Sequence, residues 1–212
     1  MDEIITQYLS TLLPEEEQWV KELQAAAKKD NVPIMDAISM RFLMQLMRLN
    51  KPARILEIGT AIGYSSLRIL EANPTAHIVT IERDEPRYEQ AVQNIQRLGK
   101  QDHITLLFGD ALQCMDELIA KEHTFDCVFI DAAKGSYKQF FEKAQLLIAE
   151  NGFIVSDNVL FRGYVADISL SPKRYVKMVE KIRDYNQWLS SHPAFTTTIV
   201  PIGDGVALSI KK

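Results

Sequence analysis

The feature that most constrains the fold is a regular alternation of short apolar runs and helical segments through the middle of the chain. The apolar runs, each a predicted strand, are Ile55–Ile58, His77–Ile81, Ile104–Phe108, Cys127–Ile130 and Phe153–Val155. The predicted helices between them are Tyr64–Glu71, Glu85–Leu98, Leu112–Ala120 and Tyr137–Ala149. Strands that alternate with helices form βαβ units with right-handed crossovers. We therefore predict an α/β fold with a doubly wound, mostly parallel sheet.

The C-terminal part of the chain departs from this alternation. A predicted helix, Pro172–Leu189, is followed by two predicted strands, Phe195–Pro201 and Val206–Ile210. These strands flank Gly203-Asp204-Gly205, and a glycine-containing turn between two strands is typical of a β-hairpin. We therefore expect an antiparallel C-terminal hairpin to close the sheet, which is narrower than a general Rossmann-like description.

The first fifty residues show apolar side chains at helical spacing, and Asp36 is the predicted N-cap of one of these helices. The sequence shows no internal repeat and no long linker that would divide the chain. We therefore predict a single domain over residues 1–212, with an N-terminal helical cap (1–50) and an α/β core (51–212).

Composition limits the possible settings of the protein. The formal net charge of −4 and the pI of about 5.6 are not typical of a basic nucleic-acid-binding domain, although they allow a local basic patch. Cys114 and Cys127 form no metal-like pair, which favours a reducing compartment. Met1–Leu13 lacks the pattern of a signal peptide, and no apolar stretch approaches the roughly 20 residues that span a bilayer. We expect a cytoplasmic protein with no membrane partner.

The first predicted strand runs into a loop that is suited to binding a nucleoside cofactor. Gly59 and Gly63 are spaced Gly-x-x-x-Gly, and the missing middle glycine argues against a dinucleotide pyrophosphate. Glu82 ends the second strand, where a carboxylate can accept hydrogen bonds from ribose hydroxyls, and Gly109-Asp110-Ala111 ends the third. Each feature alone is compatible with turn glycines or a solvent-exposed acid. Together, at one edge of an open sheet, they indicate a cofactor site.

The next two strands end in acids that indicate a metal site. Asp131 ends the fourth strand, and Asp157-Asn158 ends the fifth. Two carboxylates and an amide oxygen form an oxygen-only set that suits Mg²⁺, although a lone Asp131 would more often be a helix cap. Lys134 follows three residues after Asp131 and is either a solvated lysine or a general base beside the cation.

Three segments together resemble the cation-dependent class I O-methyltransferases of the caffeoyl-CoA and catechol type: Leu56–Ser65, Phe129–Lys134 and Ser156–Val159. The similarity covers almost the whole chain. The resemblance implies S-adenosylmethionine as methyl donor, bound by Met35, Gly59, Ser65, Glu82, Asp110, Ala111 and Asp131. It implies Mg²⁺, or Mn²⁺ in its place, held by Asp131, Asp157 and Asn158, with Lys134 as the base and Asp131 touching both ligands. Members of this family often form homodimers.

Within that family the short chain is most similar to the bacterial branch that methylates 5-hydroxyuridine at the tRNA wobble position. The resemblance therefore implies that the partner is the anticodon region of tRNA. Lys173, Lys177 and Lys181 recur at i, i+4 and i+8 and predict one basic stripe, although a solvated helix face would look the same. Phe161, Tyr164 and Tyr175 are candidates for stacking on bases, or for covering a catechol. These last two lists of residues do not select between the acceptors.

Three alternatives stay open at this point. The first is the same chemistry on small catechols or hydroxycinnamoyl-type phenols. The second is a binding module that keeps the cofactor fold without catalysis, against which the complete set of Asp131, Lys134, Asp157 and Asn158 argues. The third is a nicotinamide dehydrogenase, which the glycine spacing disfavours.

Overall fold

The computed structural model describes residues 3–212. Its α-helices are α1 (Glu3–Thr11), α2 (Gln18–Lys29), α3 (Ala37–Asn50), α4 (Tyr64–Ala72), α5 (Glu85–Arg97), α6 (Ala111–Ala120), α7 (Tyr137–Leu147) and α8 (Val176–Ser190). Its strands are β1 (Arg54–Ile58), β2 (His77–Glu82), β3 (Ile104–Phe108), β4 (Phe125–Ile130), β5 (Ile148–Ser156), β6 (Phe195–Val200) and β7 (Val206–Lys211). Short 3₁₀ turns lie between β4 and α7 and between β5 and α8.

The strands of the described chain form one sheet in the order β3-β2-β1-β4-β5-β7-β6. The first five strands in this order are parallel, whereas β7 runs antiparallel to both β5 and β6. The order reverses direction between β1 and β4, which is where open α/β sheets bind their ligands. The predicted doubly wound, mostly parallel sheet with an antiparallel C-terminal hairpin is confirmed.

The register brings the ends of the central strands to one level. Ile58 pairs with Ile81 on one side and with Ile130 on the other, and Ile130 pairs with Ser156. The residues that follow these strands therefore share one edge of the sheet. This edge carries the candidate site.

Both faces of the sheet are covered, as a parallel sheet requires. Along β4, Cys127 and Phe129 pack with α2, α3 and α4, while Val128 and Ile130 pack with α6, α7 and α8. Successive side chains of a strand point to opposite faces, so a run of apolar residues serves both layers. This explains why the central strands are apolar throughout.

The N-terminal helices are joined to the core by a buried cation. Arg68 of α4 is 1% exposed, and its guanidinium lies 2.8 Å from Glu16 and 2.7 Å from Glu71. A buried charge without a partner is strongly unfavourable, so these carboxylates fix the segment before α2 against α4. The helical content predicted for residues 1–50 is found from residue 3 onward, and the first two residues of that prediction lie outside the described part. The single-domain assignment stays a prediction.

Two predicted boundaries are wrong. Strand β5 begins at Ile148 rather than Phe153, because α7 ends at Leu147 and Ile148 is already extended and paired with Phe125. The polar residues at 150 and 151 hide this early start in the sequence. Helix α8 begins at Val176, because Pro172 is extended and the next three residues form a 3₁₀ turn.

Two smaller observations concern the expected setting. In the described part of the chain, none of the helices has both the length and the apolar character that crossing a bilayer demands. Cys114 and Cys127 are both free thiols, and burial raises the pKa of the Cys127 thiol.

Candidate active site

A cavity of about 950 Å³ opens at the carboxyl ends of the parallel strands. This volume is at the upper end of the range for small-molecule sites. Every residue predicted to bind a cofactor or a metal or to act in catalysis lies on its wall: Met35, Gly59, Ser65, Glu82, Asp110, Ala111, Asp131, Lys134, Asp157 and Asn158. The fold therefore brings together residues that are separated by more than a hundred positions in the chain.

The turn between β1 and α4 needs glycine at both predicted positions. Gly59 has φ of 100°, and a Cβ there would collide with the carbonyl oxygen of Asp131. Gly63 has φ of 84° and precedes the first turn of α4, whose amide groups lack partners within the helix. The turn thus lets the backbone pass close to β4 and leaves a helix N-terminus at the cavity wall, which suits a carboxylate.

Glu82 is held in place by the backbone around it. Its carboxylate accepts hydrogen bonds of 2.8 Å from the amides of Ala61, Arg83 and Asp84. The side chain is buried at 8% exposure, so the alternative of a solvent-exposed acid is wrong. Each carboxylate oxygen has two lone pairs, and Oε1 uses both of its own, so Oε2 keeps one for a ligand hydroxyl.

Asp110 lies on the same wall and caps α6. Its Oδ1 accepts hydrogen bonds from the amides of Leu112 at 3.0 Å and Gln113 at 3.4 Å. Ala111 begins that helix beside the cavity. The third strand end therefore contributes a small, fixed surface rather than a mobile side chain.

Glu57 is a residue whose role the sequence did not reveal. It is fully buried and accepts hydrogen bonds from the hydroxyls of Ser65, Ser66 and Thr80, the last at 2.6 Å. Burial raises its pKa to about 7, against the opposing effect of these hydroxyls. Glu57 does not line the cavity. Its carboxylate instead fixes the first turn of α4, which contains Ser65, a residue predicted to bind S-adenosylmethionine. The sequence signal that could have indicated this role is an acid near the end of β1 followed, after the turn, by the adjacent serines Ser65 and Ser66.

The two acids after β4 and β5 lie at the other side of the cavity. The amide of Asp131 donates to Ile58 and that of Asp157 donates to Ile130, both at 3.0 Å, so each continues its strand by one residue. Burial raises the pKa of Asp157 well above its usual range, and the nearby charge of Asp131 raises it further. Burial also raises the pKa of Asp131, against the effect of Lys134. The positive charge of Lys134 offsets these effects only in part.

This acid pair fits a cation. Asp157 is 2% exposed, and its Oδ1 is buried without a hydrogen-bond partner anywhere in residues 3–212. Buried polar atoms are nearly always paired in native proteins, so the free oxygen indicates a missing ligand. Asn158 adds an amide oxygen from the next position. Within the same range, no cluster of three or more His, Cys, Asp or Glu side chains forms a metal site, so the set rests on two carboxylates and one amide.

Lys134 lies directly against this set. Its Nζ donates a 2.7 Å hydrogen bond to Asn158 Oδ1, and the residue begins a short 3₁₀ turn before α7. The alternative of a freely solvated lysine is therefore wrong. The hydroxyl of Tyr137, at the start of α7, donates a 2.9 Å hydrogen bond to the carbonyl of Asp157 and so fixes the end of β5.

The segment between β5 and α8 forms the outer wall beside the acids. Phe161 lies on the cavity wall, and its ring contacts Tyr164 at 6.0 Å and Tyr175 at 5.5 Å between centroids. The last two aromatics are not among the lining residues, so they support Phe161 rather than face the cavity.

The predicted basic stripe is partly wrong. Lys177 and Lys181 are exposed on α8, but Lys173 precedes that helix in a 3₁₀ turn. The i, i+4, i+8 spacing therefore does not lie along one continuous helix.

Among the lining residues that were not predicted to bind the cofactor or the metal are Arg162 and Asp204. Arg162 reaches the cavity wall from the outer segment, and Asp204 reaches it from the tip of the C-terminal hairpin. The sequence predicted only a turn at Gly203-Asp204-Gly205. No local pattern indicates that this turn contacts the segment after β5, because the contact is made by residues about forty positions apart.

Comparisons with known proteins agree with this geometry. A family model described as O-methyltransferase matches residues 10–212. The caffeoyl-CoA O-methyltransferase of Populus kitakamiensis is 33% identical over 222 residues, covering 97% of this chain and 92% of that protein. A Staphylococcus aureus structure described as a candidate caffeoyl-CoA O-methyltransferase has a TM-score of 0.91 and 36% identity, covering 99% of this chain and 100% of that one. A Bacillus cereus O-methyltransferase in complex with SAH has a TM-score of 0.86 and 27% identity, covering 99% and 97%.

Proposed function

The chain belongs to the O-methyltransferase family, and we propose that it transfers a methyl group from S-adenosylmethionine to the O5 hydroxyl of 5-hydroxyuridine at the tRNA wobble position. The observation that carries the chemistry is the pair of the half-buried Asp131 and the buried Asp157, whose Oδ1 is unpaired among the described residues, beside Lys134. The acceptor itself is inferred from the resemblance to the bacterial tRNA branch.

The donor binds in the half of the cavity formed by the first three strand ends. Glu82, already oriented by three amides, accepts hydrogen bonds from the ribose hydroxyls. Asp110 and Ala111 border the adenine, and the turn from Gly59 to Ser65 receives the methionine part of the donor. Met35 packs against the donor from the helical cap. The structure of the Bacillus cereus relative contains SAH, which is S-adenosylmethionine without its methyl group, and this supports the choice of methyl donor.

Asp131, Asp157 and Asn158 would hold a divalent cation, Mg²⁺ or Mn²⁺. When bound, such a cation supplies positive charge that favours ionisation of the acceptor hydroxyl. In 5-hydroxyuridine, O5 and O4 are vicinal oxygens, as in a catechol, so the nucleobase fits the same site.

Lys134 accepts the proton of the acceptor hydroxyl at its Nζ, for which it must be in the neutral form. The acceptor oxygen then attacks the methyl carbon, the bond from that carbon to sulfur breaks, and the sulfonium becomes a neutral thioether. No general acid is needed, because the leaving group carries no negative charge. The donor half holds S-adenosylmethionine and the acceptor half holds the hydroxyl, so the cavity aligns the acceptor oxygen with the methyl carbon.

A second acceptor class is supported by a specific observation. The Populus kitakamiensis relative is named for caffeoyl-CoA, so small catechols and hydroxycinnamoyl-type phenols are the alternative acceptors. The exposed cations Lys177 and Lys181 and the lining Arg162 suit a phosphate-bearing acceptor, which describes both tRNA and a coenzyme A ester, so the choice of tRNA rests on the resemblance. We further propose that the protein works as a homodimer.

The test compares acceptors directly. The protein is incubated with S-adenosylmethionine and Mg²⁺, with either 5-hydroxyuridine-containing tRNA, the same tRNA with unmodified uridine, catechol, or caffeoyl-CoA. We expect methyl transfer only to the hydroxylated tRNA, and loss of transfer with EDTA that Mg²⁺ or Mn²⁺ restores. Turnover of catechol or caffeoyl-CoA without the tRNA would overturn the proposed acceptor. Light scattering after gel filtration checks the dimer.

A further inference from the structure

The segment directly after the acid pair has an unusual backbone. Asn158, Phe161 and Arg162 have φ of 58°, 39° and 57°, and Gly163 follows at 77°. Left-handed backbone is disfavoured for residues with a Cβ, and such residues persist only where the surrounding structure holds them. All four residues line the cavity. Some other element must therefore hold this segment.

That element is the tip of the C-terminal hairpin. The carbonyl of Asp204 accepts hydrogen bonds from the amides of Leu160 at 2.8 Å and Phe161 at 3.2 Å. Its carboxylate accepts one from the amide of Arg162 at 3.1 Å, and the carbonyl of Gly205 accepts one from Val159 at 3.0 Å. Four consecutive amides of the segment are therefore bound by two residues of the tip.

Packing leaves no space for this tip to shift. A Cβ on Gly205, which has φ of 86°, would collide with the side chain of Leu160. On the other side, a Cβ on Gly203 would collide with the side chains of Asp36 and Ser39 at the start of α3. The tip is thus wedged between the helical cap and the segment that carries Asn158, and Asp204 is the residue that contacts this segment with both backbone and side chain.

We propose that Asp204 is a positioning residue for the acceptor: its carboxylate holds the Arg162 amide and so keeps Phe161 and Arg162 on the cavity wall beside Asp157 and Asn158. Asp204 acts through the backbone of the segment and takes no part in the methyl transfer. Apart from Met35 in the helical cap, the donor half lies on other strand ends, and the hydrogen bonds of Asp204 go to Leu160, Phe161 and Arg162, so we expect the donor affinity to be independent of Asp204. The placement of the acceptor rests on the proposed function, whereas the docking of the segment does not.

The kinetic test uses Asp204→Ala, which removes the side-chain acceptor, and Asp204→Asn, which keeps an oxygen there. Asp167→Ala is the matched control, because Asp167 accepts from Ser169 in the same outer segment but is not on the cavity wall. With 5-hydroxyuridine-containing tRNA, we expect Asp204→Ala to raise the acceptor KM about tenfold with little change in kcat, as loss of a charge-assisted hydrogen bond predicts. Asp204→Asn should recover most of the affinity, and SAH binding by calorimetry should stay unchanged.

A second measurement needs no acceptor. Trypsin cleaves after arginine. The backbone of Arg162 and Gly163 is left-handed, so we expect the bond between them to resist cleavage while the segment is docked. We expect cleavage at this bond, followed by mass spectrometry, to be about tenfold faster in Asp204→Ala and unchanged in Asp167→Ala. If wild-type protein methylates none of the acceptors, the proposed function fails and this measurement alone decides the proposal. Cleavage and KM both within twofold of wild type would overturn it, as would an equal loss of SAH affinity.

Discussion

The two halves of the cavity are built on opposite principles. In the donor half, Glu82 is bonded by three amides, Glu57 by three hydroxyls and Asp110 by the start of α6. In the acceptor half, Asp157 keeps a buried oxygen that is unpaired among the described residues. The polar groups of the first half are satisfied by the chain itself, while those of the second half are not.

This difference separates a preorganised site from an incomplete one. The donor half can bind its ligand without rearrangement, because its side chains are already fixed. The acceptor half combines a buried carboxylate, Asp157, and a half-buried one, Asp131, with left-handed backbone after β5. Strain and unpaired charge of this kind are tolerated at functional sites although they lower stability. A cation and an acceptor would complete what the chain leaves open.

The largest expected effect follows from removing one charge of the acceptor half. Asp157→Asn keeps the shape of the side chain but removes a buried charge that Lys134 offsets only in part, so we expect methyl transfer to fall at least about 10³-fold. The metal-free variant should unfold at a higher temperature than wild type, by about 2–4 °C for each kcal/mol gained. Differential scanning fluorimetry with and without Mg²⁺ measures this, and the stabilisation by Mg²⁺ seen in wild type should disappear.

Asp110→Asn is the control, since Asp110 belongs to the donor half and caps a helix. It should retain the stabilisation by Mg²⁺. A variant of Asp157 that melts below wild type without metal would break the contrast between the halves, because it would mean that the Asp157 charge is satisfied by the protein.

The sequence predicts some parts of the site and not others. Strand ends could be predicted because alternation of strands and helices fixes which residues share an edge. Glu82 is the last residue of its strand, and Asp131 and Asp157 directly follow theirs. What could not be predicted depends on contacts between distant segments. The docking of Asp204 on Arg162 joins residues 42 positions apart, and no periodicity encodes it.

The same limit explains Glu57. The burial of its carboxylate beneath α4 depends on how that helix packs on β1 and β2, and no local pattern encodes this packing. Early pairing of β5 was hidden in a similar way, because the polar residues at 150 and 151 interrupt the apolar run. Local sequence patterns thus predict the residues at the ends of the strands. The residues that hold them in place can be identified only from the complete fold.

A second prediction concerns the pH dependence of stability in the donor half. The pKa of Glu57 is about 7 in the folded protein, above its ordinary value of 4.5, so the folded state binds an extra proton between these pH values. The contribution of Glu57 is therefore most favourable below about pH 4.5 and is lost as the pH rises through 7. Glu57→Gln should remove this loss, on the order of 3 kcal/mol, and stabilise the protein above pH 7 relative to wild type.

Urea unfolding of both proteins from pH 5 to pH 8 measures this difference. Subtracting the variant from wild type removes the part of the pH dependence that both proteins share, including that of Asp157. The charge of Asp131 also raises the pKa of Glu57, so this effect stays in the difference. Glu89→Gln, an exposed change on α5, is the control and should leave the pH profile unchanged. Parallel profiles for wild type and Glu57→Gln would show that the three hydroxyls hold a charged carboxylate at no cost.

The smallest expected effect tests whether the donor half is as independent as its bonding suggests. Glu82→Gln replaces a carboxylate that faces three amides with a group that can still accept but also carries two donors, so the ribose hydroxyls lose a charged acceptor. We expect SAH to bind about tenfold more weakly by calorimetry. The acceptor KM and the stabilisation by Mg²⁺ should stay at wild-type values, because no hydrogen bond of Glu82 reaches Asp131 or Asp157 in the described structure. An equal loss in both halves would mean that the β1 turn, which contacts Asp131 through Gly59, transmits changes across the cavity.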